Sequence, residues 1–112
     1  DFKTEKKEEA DPSISEIKTL KISVRILSAK DIKDRNLPKD ASGLVITNIQ
    51  KDSPINYLKV NNIIIEAQKK KIRSVKGFEK IINNVIQSTE KTMLIAIYNN
   101  QNQRRYIGVK LD

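Results

Sequence analysis

The chain has 112 residues and a formal net charge of +8, and it contains neither cysteine nor histidine. This composition excludes disulfides, zinc sites built from thiolate or imidazole ligands, and Ser-His-Asp or Cys-His catalytic groups within these residues. No apolar run approaches the ~20 residues that a membrane-spanning helix requires, and the length suits one domain. We therefore expect a single domain that is not itself an enzyme, needs no cofactor and no metal, and inserts no segment into a membrane.

Charge divides the chain into two parts. Residues 1–16 contain six acidic and three basic side chains, a net charge of −3, which leaves +11 for residues 17–112. Because the first residues are also poor in apolar side chains, we predict a charged linker or tail over residues 1–18 and a folded domain over residues 19–112. A basic domain is compatible with binding to nucleic acid or to an anionic surface, which is one hypothesis. Few aromatic side chains accompany the lysines, however, so we predict no nucleic-acid partner.

The first predicted element of the domain is a strand from Leu20 to Ile26. Apolar and polar residues alternate along it, which is typical of a strand with one buried face. Ser28 follows as a plausible N-cap, and we predict a short helix that ends near Asn36, before Pro38.

The middle of the chain contains two apolar strands joined by a turn. Gly43 opens the first, over residues 44–50, and Ser53-Pro54 marks a turn with Pro54 at the start of a one-turn helix. Residues 63–65 are three consecutive isoleucines, so we expect this strand to be covered on both faces. Lysines at positions 69–71 mark the next reversal of the chain.

The last third predicts one long helix and a hairpin. Ser74 is the expected N-cap of a helix over residues 75–87, whose apolar residues repeat at intervals of three and four. A strand over residues 91–98, a polar loop and a strand over residues 104–111 then complete the domain. Arg104 and Arg105 stand at the start of the final strand, where exposed charge also protects an edge, and we assign them no function.

This order of elements, with Ser53-Pro54 in the turn, Asn61-Asn62 before the isoleucine strand, and Phe78 and Ile82 on the helix, resembles a PDZ domain of the bacterial, circularly permuted type. Relatives have glycine at the place of Asn61, and asparagine is the residue other than glycine that best tolerates a left-handed backbone, so we expect the turn to be kept. It is most similar to the second, C-terminal PDZ domain of Do-like (HtrA-type) serine proteases. The resemblance implies an α+β, mainly β, fold. We expect a partly open antiparallel barrel or sandwich of five to six strands, with one long helix and one or two short ones.

The resemblance also implies a peptide-binding site. An extended segment would add to the exposed edge of the strand from Leu20 to Ile26, beside the long helix. Backbone N–H groups around Thr19 to Ile22 would hold a C-terminal carboxylate, with Lys21 in the place of the glycine that this family has there. The predicted peptide-binding residues are Thr19, Leu20, Lys21, Ile22, Val24, Phe78, Ile81, Ile82 and Val85.

The family resemblance implies the biological context as well. The parent protein would be a trypsin-like serine endopeptidase of protein quality control, periplasmic or in the cell envelope, and a homo-oligomer at full length. Partners would be peptides or unfolded protein segments, together with neighbouring protease or PDZ domains. Two alternatives remain open: a purely structural domain for inter-domain contact or oligomerisation, and a PDZ domain of another membrane-associated protease or of a secretion protein. A groove filled by the protein's own side chains would favour the structural role.

Overall fold

A seven-stranded antiparallel sheet and two helices make up the part of the chain that the computed structural model describes, residues 13–111. Six strands form one continuous row in the order β1-β2-β3-β4-β6-β7, and the short β5 pairs with β4. The α+β, mainly β, fold class is confirmed, with an open sheet, one long helix and one short helix. The strands are β1 (Ser15–Ile17), β2 (Ile22–Ile26), β3 (Leu44–Ile49), β4 (Ile63–Ala67), β5 (Lys70–Lys71), β6 (Thr92–Tyr98) and β7 (Arg104–Lys110), and the helices are α1 (Ala29–Asp34) and α2 (Val75–Ile86).

Both faces of the sheet are covered near its centre. The larger core lies between the sheet and α2 and contains Phe78, Ile82 and Val85 of the helix. A smaller cluster on the opposite face contains Val45, Ile63, Ile65 and Ala96, with Leu27, Leu37 and Tyr98 packed against it. The isoleucine strand β4 supplies side chains to both clusters, which confirms the expectation that it is buried on both sides.

Side-chain caps fix the beginnings of both helices. The Ser28 hydroxyl accepts a hydrogen bond from the Asp31 backbone N–H, and the Asp31 carboxylate accepts from the Ser28 N–H, which forms a complete capping box at α1. At α2 the Ser74 hydroxyl accepts from the Gly77 N–H at 3.0 Å. Both predicted N-caps are confirmed, and α1 ends at Asp34, two residues before the predicted end.

The capping carboxylate of α1 also binds the sheet. Arg25 on β2 donates two hydrogen bonds to the Asp31 carboxylate, at 2.7 and 3.0 Å, and both side chains are partly buried. These bonds, followed by those from Ser28, hold the pKa of Asp31 well below its usual range. The paired geometry fixes α1 against the end of β2.

Most of the residues with a positive φ lie in turns. Asn61 has a φ of 79°, so the residue that stands in the place of the family's glycine adopts the conformation expected of it. Gln68 and Lys69 have φ values of 53° and 67° and form the tight turn between β4 and β5. The predicted one-turn helix after Pro54 is not formed. Residues 53–58 instead make two overlapping turns, in which the Asn56 and Leu58 N–H groups donate to the carbonyls of Ser53 and Ile55.

The first strand lies in a region that the sequence predicts as linker. Ser15–Ile17 pair antiparallel with β2, and Ile17 is buried in the main core. The folded part of the chain therefore begins earlier than residue 19. The rest of the predicted linker, residues 1–12, lies outside the described residues.

Candidate functional site

Most of the predicted binding residues lie together. Six of them, one from the turn before β2, two from β2 and three from α2, are buried in one cluster of the main core: Leu20, Ile22, Val24, Phe78, Ile82 and Val85. Ile81 is partly buried and packs against this cluster, while Thr19 is exposed and Lys21 partly exposed in the turn between β1 and β2. Sequence and structure thus agree on which residues meet, but the structure shows most of them as core.

The predicted open edge at β2 is wrong. β2 pairs with β3 on one side and with β1 on the other, with Ser15 opposite Val24, Glu16 opposite Ser23 and Ile17 opposite Ile22. A strand with apolar alternation and unpaired backbone groups gains hydrogen bonds and burial from any nearby extended segment. Here the residues just before β2 supply that segment through a four-residue turn, residues 18–21.

Ile17 occupies the place beside β2 and α2 that we predicted for a ligand side chain. Its side chain is only 2% exposed and belongs to the same cluster as Leu20, Phe78 and Ile82. A depression of about 370 Å³ remains next to it, between the β1–β2 turn and α2, and is lined by Glu16, Ile17, Lys18, Thr19, Glu79, Ile82 and Asn83. We call this space, together with the positions that β1 fills, the β2–α2 groove.

Backbone groups of the turn are also occupied from within the chain. The Leu20 N–H donates to the Ile17 carbonyl at 3.1 Å, and the Lys21 N–H donates to the Lys18 carbonyl at 3.2 Å. These are two of the N–H groups that we predicted to hold a ligand carboxylate. The carbonyl of Ile17 therefore occupies, at the Leu20 N–H, the position that we predicted for a terminal carboxylate oxygen.

Lys21 has the backbone conformation that favours glycine. Its φ is 55°, and its ammonium forms an exposed ion pair with Asp52, whose carboxylate oxygen lies 2.6 Å from Nζ and whose pKa it lowers. Next to this pair, the buried Ser53 hydroxyl donates to the Leu20 carbonyl at 2.6 Å and accepts from the Ile55 N–H at 3.1 Å. The turn thus has, at Lys21, the left-handed backbone that the family's glycine implies, and the hydrogen bond from the Ser53 hydroxyl holds the Leu20 carbonyl in place.

The helix residues divide between two sides of α2. Ile82 lines the β2–α2 groove, whereas Ile81 and Val85 line a separate depression of about 220 Å³ with Gln68 and Lys70, at the β4–β5 turn. Helical periodicity alone does not separate these two sides, because a wide apolar stripe supplies both. Of the predicted helix residues, Ile82 has the clearest position for contact with an added strand.

Two residues of this site escaped prediction from the sequence. Ile17 is preceded by exposed Ile14 and by serine and glutamate, so the short apolar alternation at residues 14–17 is too weak to identify a strand. Ser53 reads as an ordinary turn residue before proline. Only the fold shows that its hydroxyl is buried beneath Leu20.

The comparisons with known proteins concern the fold. No family model and no curated protein matches the chain. Among solved structures it is similar to an HtrA-type protease, AlgW, solved with a decapeptide, at 17% sequence identity and a TM-score of 0.58. The match covers 81% of this chain and 27% of that one, so the chain spans about a quarter of the protease's length. At this level of identity the likeness shows a shared fold, in agreement with the predicted HtrA-related, PDZ-like architecture. In the part of the chain that is described, no helix is long and apolar enough to cross a membrane.

Proposed function

We propose that this chain is a non-catalytic, PDZ-like domain of an HtrA-type serine endopeptidase. In this proposal its β2–α2 groove binds extended polypeptide by strand addition, in exchange with β1. The observation that carries the proposal is β1 itself. A short extended segment already pairs antiparallel with β2, buries an apolar side chain at α2 and offers its carbonyl to the Leu20 N–H.

A ligand would reproduce each of these contacts. Its last apolar side chain would replace that of Ile17, and its terminal carboxylate would accept from the N–H groups of Leu20 and Lys21. Burial of one such side chain contributes about 1.5–3 kcal/mol, and the backbone pairing adds affinity that depends little on sequence. The ligand class is therefore an extended segment that ends in an aliphatic residue.

Because β1 must leave the β2–α2 groove before a peptide can bind there, the exchange lowers the apparent affinity for the peptide. If docking of β1 stabilises the fold by about 3 kcal/mol, mainly through Ile17, a competing peptide binds about 150-fold more weakly than to an empty groove. A three-residue strand is short enough for such exchange. The groove would then respond to ligands at high local concentration, such as segments of a neighbouring domain or of an unfolded protein.

The context of the proposal comes from the family that the fold resembles. The parent protease would act in protein quality control in the periplasm or cell envelope, as a homo-oligomer in which this domain contacts neighbouring protease or PDZ domains. The catalytic groups would then lie in another part of that protein.

Peptide titration tests the exchange. The probe is a peptide with the sequence of residues 13–17 and a free carboxylate, compared with its amide, and binding is followed through backbone amide resonances of β2. Ile17→Ala should bind the free acid at least tenfold more tightly than the unsubstituted chain, because β1 no longer holds its place. Ile14→Ala is the matched control, because Ile14 is 62% exposed, and it should not change binding.

A structural assembly role is the second candidate, and the closed groove favours it. In that case β1 is a permanent part of the sheet. Neither the unsubstituted chain nor a folded Ile17→Ala variant would then bind the peptide at any concentration, which would refute peptide capture. If Ile17→Ala proves too unstable, Ile17→Val keeps most of the packing and should still show a smaller gain in affinity.

A further inference from the structure

The far end of the sheet presents a second strand edge. β7 pairs with β6 in unbroken register over seven residues, from Arg104 opposite Tyr98 to Lys110 opposite Thr92. It is the last strand in the row, and no strand of residues 13–111 lies on its other side. This edge is longer than β1 and has no proline and no bulge, the usual devices that prevent further pairing.

The hydrogen-bond pattern identifies which backbone groups are available. The Asn99 N–H donates to the Gln103 carbonyl and the Leu111 N–H donates to the Lys91 carbonyl, so odd-numbered residues of β7 bond to β6. In an antiparallel pair the residues between them direct their N–H and C=O groups away from the partner. The outward-directed residues are Arg104, Tyr106, Gly108 and Lys110.

Charge determines what this edge accepts. Arg104, Arg105 and Lys110 give it three cations with exposed side chains, of which Arg104 is already paired with Glu66 at 2.8 Å. Antiparallel pairing of two copies over the full strand would place Arg104 of each copy opposite Lys110 of the other, which is destabilising. An acidic strand is favoured instead, because carboxylates on the face of Tyr106 would lie near Lys110 and Arg104.

A cavity beside the edge has room for an apolar side chain. It measures about 450 Å³ and includes Ile97 and Ile107 on the side of the sheet that faces α2. Tyr57, which is 57% exposed, also borders it, and its two charged lining residues are both basic, Lys59 and Arg105. On the opposite face the ring of Tyr106, 59% exposed, lies 5.3 Å from the Arg104 guanidinium and offers a cationic, aromatic surface.

We propose that β7 is a docking edge for an acidic, extended protein segment with alternating acidic and aliphatic residues. The segment pairs with the outward N–H and C=O groups of β7. Its aliphatic side chains lie over Ile107 and the cavity, and its carboxylates lie on the opposite face near Tyr106 and Lys110. This site is separate from the β2–α2 groove, and its existence does not depend on whether that groove binds peptides.

Titration with a defined peptide tests this site. The probe is an eight-residue peptide of alternating glutamate and valine, blocked at both ends so that no terminal carboxylate can enter the β2–α2 groove. We expect the amide resonances of Tyr106, Gly108 and Lys110 to shift on binding and their hydrogen exchange to slow, while those of β2 do not change. Binding should weaken several-fold in Lys110→Gln, which removes a cation from the face that the carboxylates occupy, and on raising the salt concentration.

Gly108 provides a matched pair of variants. Its N–H points away from β6, so Gly108→Pro removes a donor only from the free edge, where proline is tolerated. Gly108→Ala keeps the N–H, and its added Cβ would meet only the Thr92 methyl group at 3.9 Å. We expect Gly108→Pro to bind at least tenfold more weakly than Gly108→Ala, because only the alanine variant keeps the N–H donor.

Several results would overturn the proposal. Equal binding of a lysine-valine peptide of the same length would show that charge does not select the partner. Equal binding by a folded Gly108→Pro variant, or shifts confined to other residues, would exclude strand addition at β7. Dimers in sedimentation that Gly108→Pro abolishes would assign the edge to a second copy of this chain. If Gly108→Pro does not fold, the exchange rates of Tyr106 and Gly108 in the unsubstituted protein decide alone.

Discussion

The two ends of the sheet differ in how their strand edges are managed. At one end the apolar strand β2 is covered by β1, a three-residue segment of the same chain held by buried Ile17. At the other end β7 is seven residues long, carries three cations and has no neighbouring strand on its outer side among residues 13–111. The covered edge is the one whose side chains are buried in the main core, and the edge without a neighbour in the described chain is the one that charge protects.

This comparison separates two ways of preventing unwanted pairing. Covering an edge with the protein's own strand removes it from every partner until that strand leaves. Charging an edge excludes partners of the same sign but leaves the backbone groups available to partners of the opposite sign. Under our two proposals, the first device regulates access to β2 and the second selects the partner of β7.

The largest expected effect comes from removing the anchor of the covered edge. Ile17→Ala should lower the free energy of unfolding by about 3 kcal/mol, because it deletes a fully buried aliphatic side chain. Tyr106→Ala, the corresponding truncation at the β7 edge, should change it by less than about 0.5 kcal/mol, since Tyr106 is mostly exposed. Urea unfolding of both variants measures the difference, and equal losses would contradict the contrast between the two ends.

A second difference lies in the ion pairs near the two ends. Asp31→Asn should cost about 2 kcal/mol at neutral pH, because Arg25 and Asp31 are partly buried and share two hydrogen bonds. Glu66→Gln removes the partner of Arg104 at the other end and should cost less than about 1 kcal/mol, because the Arg104 side chain is 41% exposed and solvent screens the pair. Denaturant titrations at neutral pH compare the two variants.

The Asp31 pair also predicts a pH dependence. The lowered pKa of Asp31 means that its carboxylate stabilises the fold above its unfolded pKa of about 4, and that this contribution is lost as the pH falls towards the lower folded pKa. The unsubstituted chain should therefore lose stability below about pH 4, and Asp31→Asn should lose less over the same interval. Thermal unfolding between pH 2 and 6 measures this, and parallel profiles would show that other carboxylates dominate.

The turn that connects β1 to β2 gives a smaller effect. Lys21→Val should lower stability by about 1.5 kcal/mol, because a β-branched residue at a φ of 55° is strained. Lys21→Gly should stay within about 0.5 kcal/mol of the unsubstituted chain, since relief of strain and the greater freedom of the unfolded chain oppose each other. A loss in Lys21→Gly as large as in Lys21→Val would assign the effect to the Asp52 ion pair instead of the backbone.

The smallest effect is expected at the β7 edge. Gly108→Ala should raise stability by about 0.5 kcal/mol, because the site has room for a methyl group and glycine is entropically unfavourable in a strand. Gly43→Ala is the opposing control, since a Cβ there would lie 2.6 Å from the Ile64 carbonyl oxygen, at a φ of 154°. The pair is compared by urea unfolding, and stabilisation of both would show that the backbone near Gly43 adapts.

Local patterns predicted the elements where one signal dominated. Ser28 and Ser74 each precede an apolar periodic segment, and both cap helices in the structure. Asn61 stands where a left-handed residue was expected and has a positive φ. Such features depend on a few neighbouring residues, so the sequence contains nearly all the information that sets them.

Local sequence patterns could not predict which segment lies beside β2 at the candidate site. The apolar alternation of β2 is the same whether its neighbour is a ligand or the chain's own β1, and residues 15–17 are too few to show a period. Helical periodicity also did not determine which side of α2 each apolar residue occupies. In the structure Ile82 lines the β2–α2 groove and Ile81 lines another depression.

The amino-acid sequence by itself determined the class of the domain, the order of its main strands and helices, the N-caps, and the absence of cysteine and histidine chemistry. Tertiary structure alone decided that β1 closes the side of β2 and that β7 ends the sheet with its outward backbone groups unpaired among the described strands. The physical reason is that element formation depends on short-range periodicity and capping. Which edge receives a neighbour depends on competition among segments that the folded chain brings together, through long-range hydrogen bonds and burial.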